Sequence, residues 1–305
     1  MFSHVQLPGH ATGWTSKDRA EVAAGLRDDL RVRGFFFVHN HGIPTDLIRD
    51  VYAETRSFYR LSPTDKSRYD ATEQSQFLGY RGLGRERSRT HGGTEACEQY
   101  RVGNTTDQLP SPMPAADFYH APFPKSLELF GHLTHLGDAI LTACALDLGL
   151  EGGAFASCLA SGPLHRLGLN HYGAGHSSDT GPTTGSAMSP HVDLSLLTIL
   201  DQDQPGLEVG DTDGRWLEVP RVPGALFLFL GDHVQRWSNG LHRAAPHRVG
   251  MVRHDRMSIQ YKHRPDYGVV VRPLDALIGP ASPPAYPPLN TGPDYLAVLR
   301  SILGR

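Results

Sequence analysis

The chain has 305 residues, 39% of them hydrophobic and 20% charged, with a formal net charge of −3 and abundant Gly and Pro. That is enough chain to bury a substantial core in one large domain or two small ones, as a loop-rich globular protein. The charge disfavours a nucleic-acid binder, whose partner demands a basic footprint. No continuous apolar run approaches the roughly 20 residues of a membrane helix, so no membrane association is expected.

From the N-terminus, Met1-Phe2-Ser3-His4-Val5 lacks the basic start and apolar stretch of a secretory signal. Three cysteines, Cys97, Cys144 and Cys158, lack CxxC spacing and suit reduced thiols, so a cytoplasmic location is expected. Thr15 and Ser16 offer a helix N-cap, and Ala20, Val22, Ala23, Leu26 and Leu30 recur at helical spacing up to Gly34. Phe35-Phe36-Phe37-Val38 reads as a buried strand. After His41-Gly42-Ile43-Pro44, a second amphipathic helix carries Leu47, Ile48, Val51, Tyr52, Phe58 and Tyr59 inward. A loop is expected from about Gly79 to Gly93, leading into Glu98–Val102. Pro124 opens a long helix bearing Leu127, Leu129, Phe130, Leu133, Leu136, Ile140, Leu141 and Leu146.

From about Leu164 the pattern changes to short strands between turns: Leu167–Tyr172, Leu194–Leu200, Leu207–Val209, Trp216–Val219, Ala225–Leu230 and Met257–Tyr261. Such strands, broken by Gly, Pro, Asp and Asn, point to a jelly-roll sandwich or barrel. The predicted fold is therefore mainly β with helical decoration. An N-terminal α/β region (1–120) would pack on the core without being independent of it. Residues 121–305 would supply the long helix, the jelly-roll core (about 160–265) and a C-terminal tail. A long Gly/Ser/Thr loop is expected from Gly173 to Ser189, a length that suits a functional segment.

Three short strings carry the chemistry. His191-Val192-Asp193 is read as the start of a strand, where residues i and i+2 share a face and can meet one metal ion. By itself such a pair is more often an ordinary turn. The third ligand has five candidates, His233, His242, His247, His254 and His263; His247 is preferred because Pro246-His247-Arg248-Val249 enters a strand shortly before Arg256. Two His and one carboxylate with open positions suit non-haem Fe(II), although catalytic zinc uses the same ligand types. Arg256 and Ser258, again two apart, can face one pocket, where a guanidinium grips a carboxylate with two parallel hydrogen bonds. Asn170 and Tyr172 are further candidate contacts, with core packing the alternative for Tyr172.

Taken together, these segments resemble the superfamily of Fe(II)/2-oxoglutarate-dependent dioxygenases that includes isopenicillin N synthase. Gly34-Phe35-Phe36-Phe37-Val38-His39-Asn40-His41-Gly42-Ile43-Pro44 is similar to the family's N-terminal strand and turn, and Gly231–Gly240 to the segment leading to the distal His. Pro246-His247-Arg248-Val249 and Arg256-Met257-Ser258 follow in the family's order. The resemblance implies a double-stranded β-helix, with Fe(II) on His191, Asp193 and His247. It implies 2-oxoglutarate on Arg256, Ser258, Tyr172 and Asn170, and O2 as the second co-substrate. Oxidative decarboxylation to succinate and CO2 would drive hydroxylation, desaturation or epoxidation of a small molecule, in natural-product biosynthesis. Asp193 favours these outcomes over halogenation, for which halogenating relatives carry Gly or Ala at that position. The alternative is an oxidase like isopenicillin N synthase, which takes all its electrons from the substrate and uses the same Arg–Ser pair for a substrate carboxylate. A non-enzymatic β-sandwich binding module is disfavoured by the complete set of ligands. For the substrate, Tyr80, Tyr100 and Arg101 are candidates, a structural salt bridge being the competing role for Arg101, together with the amphipathic Pro293–Leu303 segment.

Overall fold

The computed structural model describes residues 2–88, 93–109, 116–173 and 186–304. In chain order these form β1 (His4–Gln6), α1 (Ser16–Asp28), β2 (Phe35–His39), α2 (Thr45–Tyr59), α3 (Pro63–Ser67), β3 (Gly79–Arg81), β4 (Glu98–Gly103) and α4 (Ala116–His120). The long helix α5 (Pro124–Asp147) is followed by β5 (Arg166–Tyr172), β6 (Ser186–His191), β7 (Leu197–Gln202), β8 (Leu207–Gly210), β9 (Trp216–Glu218) and β10 (Leu226–Leu230). Then come α6 (Asp232–Trp237), β11 (His247–Gly250), β12 (Arg256–His263), β13 (Val270–Val271), β14 (Leu289–Asn290) and α7 (Thr291–Leu303).

An eight-stranded sheet, in the order β1-β2-β10-β7-β12-β5-β4-β3, lies against a four-stranded sheet, β6-β11-β8-β9. The first four strands thus belong to the same sheet as the later core strands. Strand parity builds three layers. On β2 and β10, Phe36, Val38, Leu226, Leu228 and Leu230 join the core under the helices. The alternate residues Phe35, Phe37, Phe227 and Phe229 meet Leu207, Val209 and Val219 between the sheets. On β12, β5 and β4, Met257, Ile259, Tyr261, Leu167, Leu169, Tyr100 and Val102 again face the helices. Their neighbours Arg256, Ser258, Gln260, Lys262, Arg166, Gly168, Asn170, Gln99 and Arg101 therefore face the other way. The space between the sheets is aromatic at one end and polar at the other.

The first helix starts as its sequence suggests: the Thr15 side chain accepts from the Asp18 N–H and the Asp18 carboxylate accepts from the Thr15 N–H, a reciprocal capping box. α5 is long and apolar enough to cross a membrane on length and composition alone. It is instead packed against α1 and α2, with Leu129, Leu133, Leu136, Ile140 and Leu141 buried, while Leu127 is exposed. The three cysteines are free thiols.

Several sequence boundaries shift. The expected loop from Gly79 opens as β3, because Gly79, Tyr80 and Arg81 complete the sheet edge against β4; its residues 89–92 lie outside the described residues. Most of the expected loop Gly173–Ser189 (174–185) also lies outside them, but Ser186–Ser189 form β6 by pairing with β11. Residues 194–196 form a bend before β7 rather than the start of the strand.

α2 docks on the sheet partly through Tyr52, whose hydroxyl donates to Asp201 Oδ2 at 3.2 Å. Burial pushes the Asp201 carboxyl up to about 6, against the Tyr52 hydrogen bond and nearby Arg221. Because the folded value lies above the unfolded one, this group's stabilisation is complete below about pH 4 and is lost as pH rises through 6. A rise from the ordinary 3.8 to about 6 corresponds to about 3 kcal/mol at full effect. We expect Asp201→Asn to remove that slope, so that its stability relative to the parent chain improves between pH 4 and 7 in urea unfolding. A difference that stays flat with pH would reject it.

Candidate active site

His191 ends β6 and His247 begins β11, and the two are direct partners across that antiparallel pair. The sequence predicts His191-x-Asp193 at the start of a strand; it sits at the end of one. Asp193 lies in the connection to β7, where its backbone carbonyl accepts from the Asp232 N–H. One donor atom from each of His191, Asp193 and His247 lies within 4.8 Å of the other two. Asp193 Oδ1 is 3.5 Å from His191 Nε2 and 3.8 Å from His247 Nε2.

The groups around these atoms orient them. His191 Nδ1 donates to the Ser189 carbonyl at 2.8 Å and His247 Nδ1 to the Ala245 carbonyl at 3.1 Å. A carbonyl can only accept, so both Nδ1 atoms carry a proton, which leaves Nε2 as the metal-facing atom of each ring. His247 Nε2 is buried without a hydrogen-bond partner among the described residues. Burial holds the His247 imidazole down at about 3, hence neutral. Burial acts to raise the Asp193 carboxyl, but Lys262, His247 and His191 together hold it well below its ordinary value. Lys262 Nζ donates to Asp193 Oδ1 at 2.5 Å, and Thr198 Oγ1 donates to Oδ2 at 2.6 Å. Two imidazole Nε2 atoms and an ionised carboxylate converging on one point are the donor set of an open divalent-metal site. Phe229, with its ring 4.4 Å from that of His247, closes the site toward the aromatic end of the inter-sheet space.

The Thr198 contact predicts that Thr198→Val, near in shape but without the hydroxyl, weakens metal affinity by about 10–100-fold. Equilibrium dialysis with Fe(II) under anaerobic conditions checks this; unchanged affinity would show that Asp193 is oriented by other groups.

Beside the triad, β12 and β5 pair so that Arg256 faces Tyr172 and Ser258 faces Asn170. All four are buried. Arg256 Nε donates to the Gln204 carbonyl at 3.1 Å and Nη2 to Gln202 Oε1 at 2.8 Å, and its guanidinium carbon lies 4.8 Å from the Tyr172 ring centroid. Asn170 Nδ2 donates to Ser258 Oγ at 3.3 Å. Arg256 Nη1 is buried with no partner among the described residues. Gly206, at φ +138°, leaves room for this side chain: a Cβ there would come within 3.2 Å of Arg256 Cδ and Nε.

A cavity between the sheets is lined by His191, Asp193, Arg101 and the α7 residues Tyr295, Val298, Leu299 and Ile302. Two of the expected substrate residues are elsewhere. Tyr100 is fully buried among Phe58 and Phe123 with its hydroxyl on the Tyr119 carbonyl. Tyr80, its cross-strand partner, donates to Glu98 Oε2 at 2.5 Å. Strand parity sends both to the helix side, opposite Arg101. The cavity also contains Arg166, Gln260, Lys262 and Arg264, which the sequence motifs do not single out. For Gln260, Lys262 and Arg264 the signal is nonetheless present, in the alternation of Arg256, Ser258, Gln260 and Lys262 along β12 that continues to Arg264 just past its end.

The 2OG-Fe(II) oxygenase superfamily model matches residues 165–265, and the model for the N-terminal region of the non-haem dioxygenase in morphine synthesis matches residues 7–122. Flavanone 3-dioxygenase 2 of Oryza sativa subsp. japonica is 31% identical over 299 residues, covering 94% of this chain and 81% of that protein. Validamycin A dioxygenase of Streptomyces hygroscopicus subsp. limoneus is 29% identical, covering 93% and 82%. Among solved structures, the dioxygenase for auxin oxidation in rice superimposes with a TM-score of 0.72 at 23% identity, covering 100% of this chain and 96% of that one. The curated relatives support dependence on 2-oxoglutarate rather than the oxidase alternative. A jelly roll with a His–Asp–His cluster between its sheets and relatives aligned over nearly its whole length, the chain belongs to the 2OG-Fe(II) oxygenase superfamily and is an Fe(II)/2-oxoglutarate-dependent dioxygenase.

Proposed function

We propose that His191, Asp193 and His247 hold Fe(II), that Arg256 and Ser258 receive the distal carboxylate of 2-oxoglutarate with Asn170 and Tyr172 beside it, and that the enzyme hydroxylates, desaturates or epoxidises a small molecule in natural-product biosynthesis. The observation that carries the co-substrate assignment is the buried Arg256 Nη1 without a partner among the described residues. A carboxylate there satisfies a charge that is otherwise expensive to bury.

Iron, when bound, supplies the activation of O2 that oxidative decarboxylation of the 2-oxo acid makes possible. The chain's own residues do the rest. The backbone carbonyls of Ser189 and Ala245 hold both imidazoles in the Nε2-binding tautomer. Thr198 and Lys262 keep Asp193 ionised and oriented. Gln202 and the Gln204 carbonyl hold the guanidinium plane of Arg256, so a carboxylate meets a preformed pair of donors. Phe229 and the neighbouring aromatic layer keep water from one side of the site.

Titrating 2-oxoglutarate into the Fe(II)-loaded protein without O2 is expected to produce the metal-to-ligand absorption band of a chelated 2-oxo acid. Absence of that band, with iron bound, would reject the assignment.

A further inference from the structure

The cavity in front of the triad carries more positive charge than its own acids neutralise. Among the described residues, Arg81, Arg87, Arg101, Arg166, Lys262 and Arg264 line it, against Glu86, Glu95 and Asp193. The acids are already engaged. Glu86 forms a buried pair with Arg81, Glu95 accepts from the Ser189 N–H at 3.0 Å, and Asp193 is shared among Lys262, His191 and His247.

Three guanidiniums are left with only neutral oxygens. Arg101 donates to Asn170 Oδ1 at 3.0 Å and to Gln99 Oε1. Arg166 donates to the carbonyls of His165 at 2.8 Å, Asn104 at 2.5 Å and Gln76 at 3.3 Å, and its Nε is buried without a partner among the described residues. Arg264 donates to the Leu194 carbonyl at 2.9 Å and lies 4.5 Å from the Tyr295 ring centroid. None has a carboxylate within salt-bridge distance among the described residues. Arg166 and Arg264 are only 3% and 5% exposed. Gly168 makes the arrangement possible, since a Cβ at that position would lie 1.6 Å from Arg101 Nη1. This positive charge acts on its neighbour. Burial opposes ionisation of Tyr295, yet Arg264, Arg166, Arg81 and Arg101 bring its phenol down to about 8.

Buried cations in this number are costly unless a counter-charge arrives. The co-substrate's distal carboxylate does not provide it on the proposed assignment, because Arg256 is not among the residues lining this cavity, and its 2-oxo acid end would be taken up by the metal on His191 and Asp193. We infer that the substrate is an anionic small molecule whose carboxylate or phosphate is held among Arg101, Arg166 and Arg264, with its apolar part against Val298, Leu299 and Ile302 of α7. This rests on the function proposed above and specifies the substrate class for that same site. A planar guanidinium suits both anions through paired N–H donors.

The test follows thermal unfolding of protein loaded with Mn(II) and saturating 2-oxoglutarate, which fills the Arg256 anchor, while inorganic phosphate or acetate is added against chloride at equal ionic strength. One of the two is expected to raise the Tm saturably, phosphate marking a phosphorylated substrate and acetate a carboxylic acid. Arg264→Gln and Arg101→Gln should each weaken that binding by about tenfold or more, and Arg101→Lys by less, with Arg264→Gln leaving the protection given by 2-oxoglutarate unchanged. The inference is overturned if neither anion exceeds chloride, or if all three variants bind like the parent. The same titration on metal-free Arg256→Gln protein separates the two claims. Anion protection there, with no 2-oxoglutarate protection of the Mn(II)-loaded parent chain, would sink the assigned co-substrate site alone.

Discussion

His247→Ala is expected to lose Fe(II) affinity by on the order of a thousandfold, and turnover with it. This exceeds the effect of the groups that merely orient ligands, which command about 10–100-fold. His247 supplies one of only three protein donors, and its Nε2 is the buried one with no other partner among the described residues. Removing it leaves His191 and Asp193 on a single connection, with Lys262 already on the carboxylate, so the ammonium replaces the metal as the counter-charge. The strand should survive, because His247 is held by backbone pairing to both β6 and β8. Anaerobic equilibrium dialysis with circular dichroism on the same sample checks both halves. A folded His247→Ala that binds iron like the parent would return the third position to another histidine. Among the described residues no other histidine groups with His191 and Asp193; His242 is hydrogen-bonded to Asp147, and His263 lies beside Asp138 on the helix side.

The second large effect is expected at Arg256. Substitution by Lys keeps the charge but loses the planar pair of donors, and truncating one partner of a buried charge pair costs about 2–5 kcal/mol. That corresponds to a rise in KM for 2-oxoglutarate of at least roughly 30-fold. Iron affinity should stay within a factor of about two, because no metal-ligand contact involves Arg256. Arg256→Gln should be worse than Lys, since no cation remains. A parallel fall in iron affinity would mean that the variant disturbs the sheet rather than the anchor. An unchanged KM would place the co-substrate elsewhere.

The elements that can be read from the chain are those governed by local periodicity. The capped helix after Thr15, the aromatic strand Phe35–Phe37 and the amphipathic α2 each carry their own signal within a few residues. Arg256 and Ser258 are legible as a pair because a strand puts i and i+2 on one face, and Asn170 and Tyr172 on β5 obey the same rule. Where local reading fails, neighbours are the cause. Tyr80 and Tyr100 have aromatic rings suited to a substrate pocket, but register places them on the helix side. β3 and β6 look like loop because Gly79 in the one and Ser186, Ser189 and Pro190 in the other are poor strand formers, and it is pairing with β4 and β11 that orders them.

The sequence by itself therefore determined the ligand types, their order along the chain and the alternation that puts each set on one face of a strand, because these depend on chemistry and on a two-residue period. Only the tertiary structure decided which histidine meets the His-x-Asp pair: β11 lies against β6 with His247 opposite His191, a pairing 56 positions apart in the chain. It also decided the charge of the substrate cavity. Arg101 on β4, Arg166 on β5 and Arg264 just past β12 are far apart in sequence, and each alone looks like an arginine with a salt bridge. Their lack of carboxylate partners among the described residues is a property of the assembled sheet, since whether a buried charge is compensated depends on every element packed around it.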